Sequence, residues 1–132
     1  MAHTTASIGS QSYEVAIESG THRLIADEPA SRGGGDAGPA PYDLLLSALG
    51  ACTAMTLRMY ADRLGWPVRK IGVDLRLVGT HDRGRIDRLL MIESADDAAR
   101  IRLAEVAERT PVTLSIKNGM DIVTTLAETR HD

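Results

Sequence analysis

The sequence feature that most constrains this chain is a long apolar stretch, from Pro39 to Trp66, that holds the only cysteine, Cys52. Pro41 suits the first turn of a helix, and Gly65 is typical of a helix end. The stretch therefore predicts a helix of about 24 residues, roughly 36 Å long. Because its first two thirds are apolar on nearly every side, we expect a central, buried helix rather than one that lies on the surface.

The ends of this helix favour a protein that does not cross a membrane. The uncharged run from Leu44 to Leu57 is shorter than a bilayer requires, and charged residues follow it at Arg58, Asp62 and Arg63. A chain of 132 residues has the usual length of one domain and can bury a core of its own. We predict a single domain that comprises residues 1–132.

Composition excludes several classes of protein. The net charge is −3, with 15 basic against 18 acidic residues and no basic cluster, so a nucleic-acid partner is not expected. One cysteine permits neither an internal disulfide nor a CxxC metal site. The first residues, MAHTTASIGS, show neither the apolar core of a signal peptide nor a transit-peptide pattern. The cytoplasm is therefore the expected compartment.

Alternating patterns on both sides of the long helix predict two β-hairpins. From Tyr13 to Ile17 the residues alternate, and a second alternating run begins at Arg23 after a turn at Gly20. Beyond the helix a run from Ile71 to Leu77 alternates in the same way. The turn GTHDRG then leads into its antiparallel partner, which runs from Arg85 to Glu93.

The rest of the chain predicts a second helix and a final strand. Ser94 with Asp97 resembles a capping box, and the helix after it extends to about Arg109. Pro111 interrupts it, a short turn follows, and the residues from Met120 to Leu126 are typical of a strand. Because strands and helices are segregated, the fold class is α+β with antiparallel sheet.

The segment from Glu28 to Ala40 is rich in glycine and proline, which predicts a loop without regular structure. Its run from Gly33 to Gly35 is not typical of a phosphate-binding loop, because no Lys-Ser/Thr pair follows and no strand leads directly into it. We therefore expect a flexible loop. Arg32 lies in it, either solvated or as a cation that reaches a thiol on the helix.

Spacing alone favours Cys52 as an inert residue, because buried free cysteines are common and mid-helix positions gain little from the helix dipole. The four histidines lie near termini or turns, without metal-ligand spacing. They are His3, His22, His81 and His131. None is placed to act as a base, so a cysteine hydrolase or acyl-transfer enzyme is the weakest reading. The sequence predicts neither a metal nor a cofactor.

A resemblance to a known family adds to this reading. The run GPAPYDLLLSALGACTAMTLRMYADRLGW, a preceding DEP with a glycine-rich loop, and a Thr-Pro-Val after the second helix resemble the OsmC/Ohr family of osmotically inducible and organic-hydroperoxide-resistance proteins. The resemblance covers nearly the whole chain. It implies an α+β fold in which antiparallel sheets clasp two central helices. It also implies an intertwined homodimer with active sites at the subunit interface.

The resemblance also implies roles for particular residues. In that family the helix cysteine attacks hydroperoxides, and an arginine and a carboxylate activate it. Cys52 matches the cysteine. Arg32, nine residues before Pro41, matches the arginine, with Arg23 in reserve. Asp43 stands where the family usually has Glu. On one straight helix Asp43 and Cys52 lie about 13 Å apart, so they can meet only across a dimer interface or through a break in the helix.

The chain departs from the family at Thr110, which stands where the resemblance implies a resolving cysteine. Two functions follow. The first is a one-cysteine peroxidase that reduces organic hydroperoxides and depends on an external thiol, either dihydrolipoamide-like or small. The second is a non-catalytic dimer that binds a small apolar or thiol-reactive ligand, with Cys52 as part of the lining.

Overall fold

The computed structural model describes residues 2–10 and 12–128. In chain order the elements are β1 (Thr4–Ser7), β2 (Val15–Ser19), β3 (His22–Ala26), a 3₁₀ turn (Ala30–Arg32), α1 (Pro41–Leu64), β4 (Val68–Val78), β5 (Arg85–Ser94), α2 (Asp97–Ala107) and α3 (Pro111–Asn118). The predicted α+β class is confirmed.

The chain divides into two compact units, which are Met1–Ala51 with Gly72–Met91 and Cys52–Ile71 with Ile92–Asp132. Each of α1, β4 and β5 contributes residues to both units. The single domain expected from the length of the chain stays a prediction.

The first sheet is antiparallel, with the strand order β1-β2-β3. The hairpin β2–β3 is confirmed, and Ser19 pairs with His22 across its two-residue turn. Gly20 has φ of 62° in that turn, a left-handed conformation that a two-residue hairpin requires. β1 was not expected, because TTAS has no apolar alternation, but Thr4 pairs with Ser19 and their hydroxyl oxygens lie 3.0 Å apart.

The second sheet consists of β4 and β5. Residues 79–84 connect the two strands, and a connection this short joins antiparallel rather than parallel strands. Half-buried and exposed residues alternate along β5, as expected of a strand with one face in water. The predicted second hairpin is therefore confirmed: β4 is longer than predicted at both ends, and β5 begins at Arg85 as predicted and extends one residue further, to Ser94.

α1 begins at Pro41 and ends at Leu64, as the sequence predicts. Within the single chain, however, it is not buried on all sides. The buried residues are spaced by four and form one stripe: Leu49, Thr53, Leu57 and Ala61. Large apolar residues elsewhere on the helix stay exposed: Leu45, Met55, Met59, Tyr60 and Leu64. One chain therefore covers one side of this helix, and the expectation of a buried helix is only partly met.

By length and composition α1 also qualifies as a membrane-spanning helix, and 22% of its apolar 18-residue stretch is buried. The uncharged run from Leu44 to Leu57 is shorter than a bilayer requires. The helix itself has 24 residues, which is long enough to cross a bilayer. Length therefore does not decide between a core helix and a membrane helix.

α2 begins later than predicted, because its N-cap lies two residues after Ser94. The side chain of Asp96 accepts a hydrogen bond from the Ala99 N–H at 3.1 Å, so Asp96 is the N-cap and the capping box at Ser94 is wrong. The Ser94 hydroxyl accepts from the Asp96 N–H at 3.1 Å and donates to the Pro67 carbonyl at 2.7 Å. It thus fixes the chain just before the helix.

The predicted last strand, from Met120 to Leu126, is not a strand, since residues 119–128 follow α3 without regular structure. Its large apolar residues are almost fully exposed: Met120 74%, Ile122 89%, Val123 90% and Leu126 93%. A strand needs a neighbour to receive its hydrogen bonds. This segment pairs with no strand of the described chain, although its sequence is typical of one.

Candidate functional site

Cys52 is a free cysteine on α1, and its side chain is half-buried. Its Sγ lies 3.9 Å from the Oγ1 of Thr56, one helical turn further on. A hydroxyl in this position can donate a weak hydrogen bond to sulfur. Because Cys52 lies far from the first turn of α1, the helix dipole contributes little to a thiolate there. Any strong activation of this thiol must come from a cation on another element.

Arg32 is the last residue of the 3₁₀ turn, and its N–H donates to the Pro29 carbonyl at 2.9 Å. Its side chain is exposed and has no ion pair with any residue that the structure describes. Arg23, the arginine held in reserve, lies 3.7 Å from Glu18 in an exposed ion pair. Of the two candidate arginines, Arg32 is thus the one whose charge is not already paired.

A carboxylate organises the loop that carries Arg32. Asp27 follows β3 directly and is buried, with 4% of its surface exposed. One carboxylate oxygen accepts from the Glu28 N–H at 2.7 Å, and the other accepts from the N–H groups of Gly35 and Ala37 at 3.2 and 3.1 Å. The bond from Ala37, with those from Glu28 and Gly35, lowers the pKa of Asp27 below its ordinary value, whereas burial opposes this.

The glycines of this loop permit close approach of its backbone. A Cβ at Gly34 would collide with the carbonyl of Glu28, and a Cβ at Gly38 would collide with the carbonyl of Ile25. The base of the loop is closed by the Asp27 N–H, which donates to the Pro39 carbonyl at 3.2 Å. The expected loop without regular structure therefore contains a 3₁₀ turn and is held by its own hydrogen bonds.

The hydrogen bonds to Asp27 also affect whether the glycine run could bind an anion. Convergent N–H groups in a glycine-rich loop are what a phosphate cradle needs. Here those of Gly35 and Ala37 already bind the Asp27 carboxylate. These two N–H groups are therefore not available to a phosphate, which agrees with the prediction that this is not a nucleotide-binding loop. Sequence reasoning missed Asp27 because its bonds reach ten residues along the chain, and only an aspartate just before a glycine-rich loop could have signalled it.

Asp43 lies in the first turn of α1, where a carboxylate is favoured by the helix dipole, and its side chain is exposed. Its carbonyl accepts a hydrogen bond from the Ser47 hydroxyl at 2.7 Å. α1 continues without a break from Pro41 to Leu64. A break in the helix is therefore not the way in which Asp43 approaches Cys52. The alternative, a contact across a dimer interface, stays a prediction.

Thr110, at the position where the resemblance implies a second cysteine, is the buried N-cap residue of α3. Its hydroxyl oxygen lies 2.6 Å from that of Thr113, whose hydroxyl donates to the Ala107 carbonyl at 3.3 Å. Since a hydroxyl has one proton to give, Thr110 is the donor in the pair. The position is occupied by a satisfied hydroxyl that has no redox chemistry of its own.

The part of the chain that the structure describes holds no group of three or more His, Cys, Asp or Glu side chains that could bind a metal ion. His3 and His81 lie outside helices and strands, and His22 begins β3. His131 lies outside the described residues. The first three are exposed, as expected of solvated histidines.

Solved structures of the same fold come from several bacteria. An OsmC-like protein from Mycoplasma pneumoniae is 19% identical, with a TM-score of 0.75, and the match covers 89% of this chain and 87% of that one. The organic hydroperoxide resistance protein OsmC from Legionella pneumophila is 18% identical, with a TM-score of 0.67 and 89% of each chain covered. OhrB of Bacillus subtilis, an organic hydroperoxide resistance protein, is 21% identical, with a TM-score of 0.63 and coverage of 92% and 93%.

No curated protein sequence matches the chain. The family model of the OsmC-like proteins matches residues 33–125. This range extends from the glycine run through α1 and Cys52 into the exposed segment after α3. The match covers most of the chain and agrees with the fold of the solved structures. The chain therefore belongs to the OsmC-like protein family.

Proposed function

We propose that this protein is a one-cysteine peroxidase that reduces organic hydroperoxides. The observation that carries the proposal is a single free cysteine on the long apolar helix of an OsmC-like chain. Two solved structures of the same fold, from Legionella pneumophila and Bacillus subtilis, are of organic hydroperoxide resistance proteins. Apolar residues along α1, such as Met55 and Met59, offer a surface for the alkyl part of such a substrate.

The reaction is a displacement on oxygen. The Cys52 thiolate attacks the outer oxygen of the hydroperoxide, an S–O bond forms and the O–O bond breaks. The cysteine is oxidised to a sulfenic acid, and the alkoxide leaves and takes up a proton to become an alcohol. Arg32 supports the thiolate and the developing negative charge, and Asp43 orients that arginine. The unpaired state of Arg32 in the described chain favours it over Arg23 for this role.

The return to the thiol requires an external reductant. The chain has one cysteine, and a hydroxyl such as that of Thr110 does not condense with a sulfenic acid to a stable bond. A thiol from outside attacks the sulfenic sulfur, releases water and leaves a mixed disulfide with Cys52. A second thiol then displaces Cys52 and forms the external disulfide. A dithiol related to dihydrolipoamide supplies both sulfurs from one molecule.

We further propose that the active form is a homodimer in the cytoplasm, in which residues 1–132 act as one domain. The exposed apolar residues of α1 and of the segment after α3 leave a surface that a second copy can cover. We assign this covering to protein rather than to lipid, because α1 continues into the charged residues Arg58, Asp62 and Arg63. No nucleic acid or membrane takes part.

One observation favours a second function. Among the described residues, the only hydrogen-bond partner of the Cys52 thiol is the Thr56 hydroxyl at 3.9 Å, and a bond of this length is too weak to activate a thiol by itself. If no cation reaches Cys52 in the dimer, the same surface serves a non-catalytic protein that binds a small apolar or thiol-reactive ligand.

A single-turnover experiment decides between the two. The protein is mixed with a stoichiometric amount of cumene hydroperoxide, and dimedone traps any sulfenic acid for mass spectrometry. A peroxidase gives a dimedone adduct on Cys52 that dithiothreitol prevents when added first, and Cys52→Ser gives none. A thiol that stays unmodified in the native protein, but reacts with iodoacetamide after unfolding, identifies the binding protein instead.

A further inference from the structure

The 3₁₀ turn that carries Arg32 is held at both of its ends by one side chain. One oxygen of the Asp27 carboxylate binds the N–H of Glu28, before the turn, at 2.7 Å. The other binds the N–H of Gly35, after the turn, at 3.2 Å, and that of Ala37 at 3.1 Å. Backbone bonds support the same turn: the Asp36 N–H donates to the Glu28 carbonyl at 3.1 Å, and the Gly34 N–H donates to the Pro29 carbonyl at 3.1 Å.

We propose that Asp27 is a positioning residue, which keeps the guanidinium of Arg32 available to Cys52 by fixing the turn in one conformation. The inference rests on the proposed function, because it assigns to Arg32 the activation of the thiol. Arg32 is exposed, and no ion pair with a described residue holds its side chain. Its placement therefore depends on the backbone from which it projects.

Among side chains at position 27, only a carboxylate can accept hydrogen bonds from both ends of the turn. Its two oxygens both accept, and each serves a different end. An asparagine of the same shape has one oxygen, and its amide nitrogen would face an N–H group, so one end is released whichever way the amide is turned. The ordinary pKa of an aspartate is already far below 7 and that of Asp27 is lowered further, so the carboxylate is ionised at neutral pH.

The experiment compares Asp27→Asn with Asp36→Asn, which removes one negative charge from the same loop. Asp36 has φ of 54°, a conformation that asparagine also tolerates, and no described residue hydrogen-bonds to its side chain. Trypsin cleavage between Arg32 and Gly33 reports on the turn. Cleavage between Arg83 and Gly84, in the connection from β4 to β5, is an internal reference of the same dipeptide.

We expect Asp27→Asn to raise cleavage after Arg32 about tenfold relative to the reference, the effect of losing a hydrogen bond to a charged acceptor. Asp36→Asn leaves the ratio at the wild-type value. An unchanged ratio in Asp27→Asn overturns the inference. If Asp27→Asn does not fold by circular dichroism, Gly34→Ala displaces the same turn through the carbonyl of Glu28 and is expected to give the same increase.

The rate of Cys52 alkylation by iodoacetamide near neutral pH tests the link to the thiol. A nearby cation raises the thiolate fraction, so we expect Arg32→Ala to slow alkylation about tenfold. Asp27→Asn slows it by a similar factor, and the double variant is no slower than Arg32→Ala alone. If Arg32→Ala does not change the alkylation rate of Cys52, the role of Arg32 in the proposed function is overturned. If Arg32→Ala slows alkylation but Asp27→Asn does not, only the positioning role of Asp27 is overturned.

Discussion

The loop from Asp27 to Pro39 and the segment 119–128 both lack long regular elements. They differ in whether their polar groups and apolar side chains find partners within the chain. In the loop, a buried carboxylate and short backbone bonds use the polar groups of one chain. In the segment, apolar side chains are 74 to 93% exposed and no strand pairs with it among the described residues. A polar loop can thus satisfy its hydrogen bonds within one chain, whereas an apolar strand-like segment needs another surface.

The largest effect is expected from a charge in the apolar segment. If a second copy covers it, Ile122→Asp removes about 1.5 to 3 kcal/mol of burial from each subunit, and the dimer dissociation constant rises at least a hundredfold, or about 3 kcal/mol. Sedimentation equilibrium measures this. Asn118→Asp, at the exposed end of α3, is the matched control and is expected to leave the constant within about threefold of the wild-type value.

A concentration-dependent melting temperature accompanies this dimer, because dissociation and unfolding are then coupled. A wild-type protein that sediments as a stable folded monomer at low micromolar concentration would contradict the dimer, and the difference between the two regions would need another explanation.

The next effect is expected in the loop. Gly38→Ala forces a Cβ against the carbonyl of Ile25, so we expect the free energy of unfolding to fall by about 1 to 3 kcal/mol. Gly9→Ala is the control, because nothing lies within 4 Å of its added Cβ. Urea unfolding followed by circular dichroism gives both values. Equal stability of the two variants would show that the loop is looser than its contacts indicate.

Acid should weaken the loop. The folded-state pKa of Asp27 is lowered, first by the bond from Ala37. Its contribution to stability is therefore complete above the unfolded-state value of about 3.9 and is lost as pH falls through the folded-state value. The difference in urea midpoint between wild type and Asp27→Asn is expected to shrink from about pH 6 to about pH 3.

The comparison with Asp27→Asn is needed because other carboxylates titrate in the same direction. Hydrogen bonds from Thr80 and Arg85 lower the pKa of Asp82 and of Asp87 in the connection and in β5. Their effects cancel in the difference between two variants that both retain them. A pH-independent difference for Asp27→Asn would contradict the role of its charge.

The smallest effect on stability is expected from the two arginines. Arg23 forms an exposed ion pair at 3.7 Å, and such pairs contribute less than about 1 kcal/mol. Arg32 has no pair among the described residues, so neither Arg23→Ala nor Arg32→Ala should change the urea midpoint much. Iodoacetamide kinetics separates them. If Arg23→Ala slows Cys52 alkylation more than Arg32→Ala does, the assignment passes to Arg23.

The sequence predicted those elements that short-range patterns determine. Proline at the start and glycine after the end define α1, and alternation defines the two hairpins. It did not predict β1, whose only reason to be a strand is its neighbour β2. It also predicted a strand from Met120 to Leu126, but there the neighbour is missing from the described chain. A strand forms only by pairing with a neighbour, so the pattern of one segment alone does not determine whether that segment becomes a strand.

The residues of the candidate site also divide into those that the local sequence indicates and those that depend on contacts between distant parts of the chain. The apolar context of Cys52 is local, and the motif around it identified the family. The carboxylate of Asp27 was not recognised, because its partners Gly35 and Ala37 are ordinary loop residues until the chain folds back on itself. The roles of Arg32 and Asp43 depend on contacts between elements or subunits, which no spacing within one helix or loop determines.

The loop around Asp27 has a consequence for how this protein can vary. Irregular surface loops usually accept substitutions, insertions and deletions more readily than strands do. Here two glycine positions have a backbone carbonyl in the place of a side chain, and the position before them needs two acceptor oxygens. In a library of single substitutions, Asp27, Gly34 and Gly38 would rank among the least tolerant positions, below the exposed residues of β5. The most variable-looking part of the sequence would then be one of its most restricted.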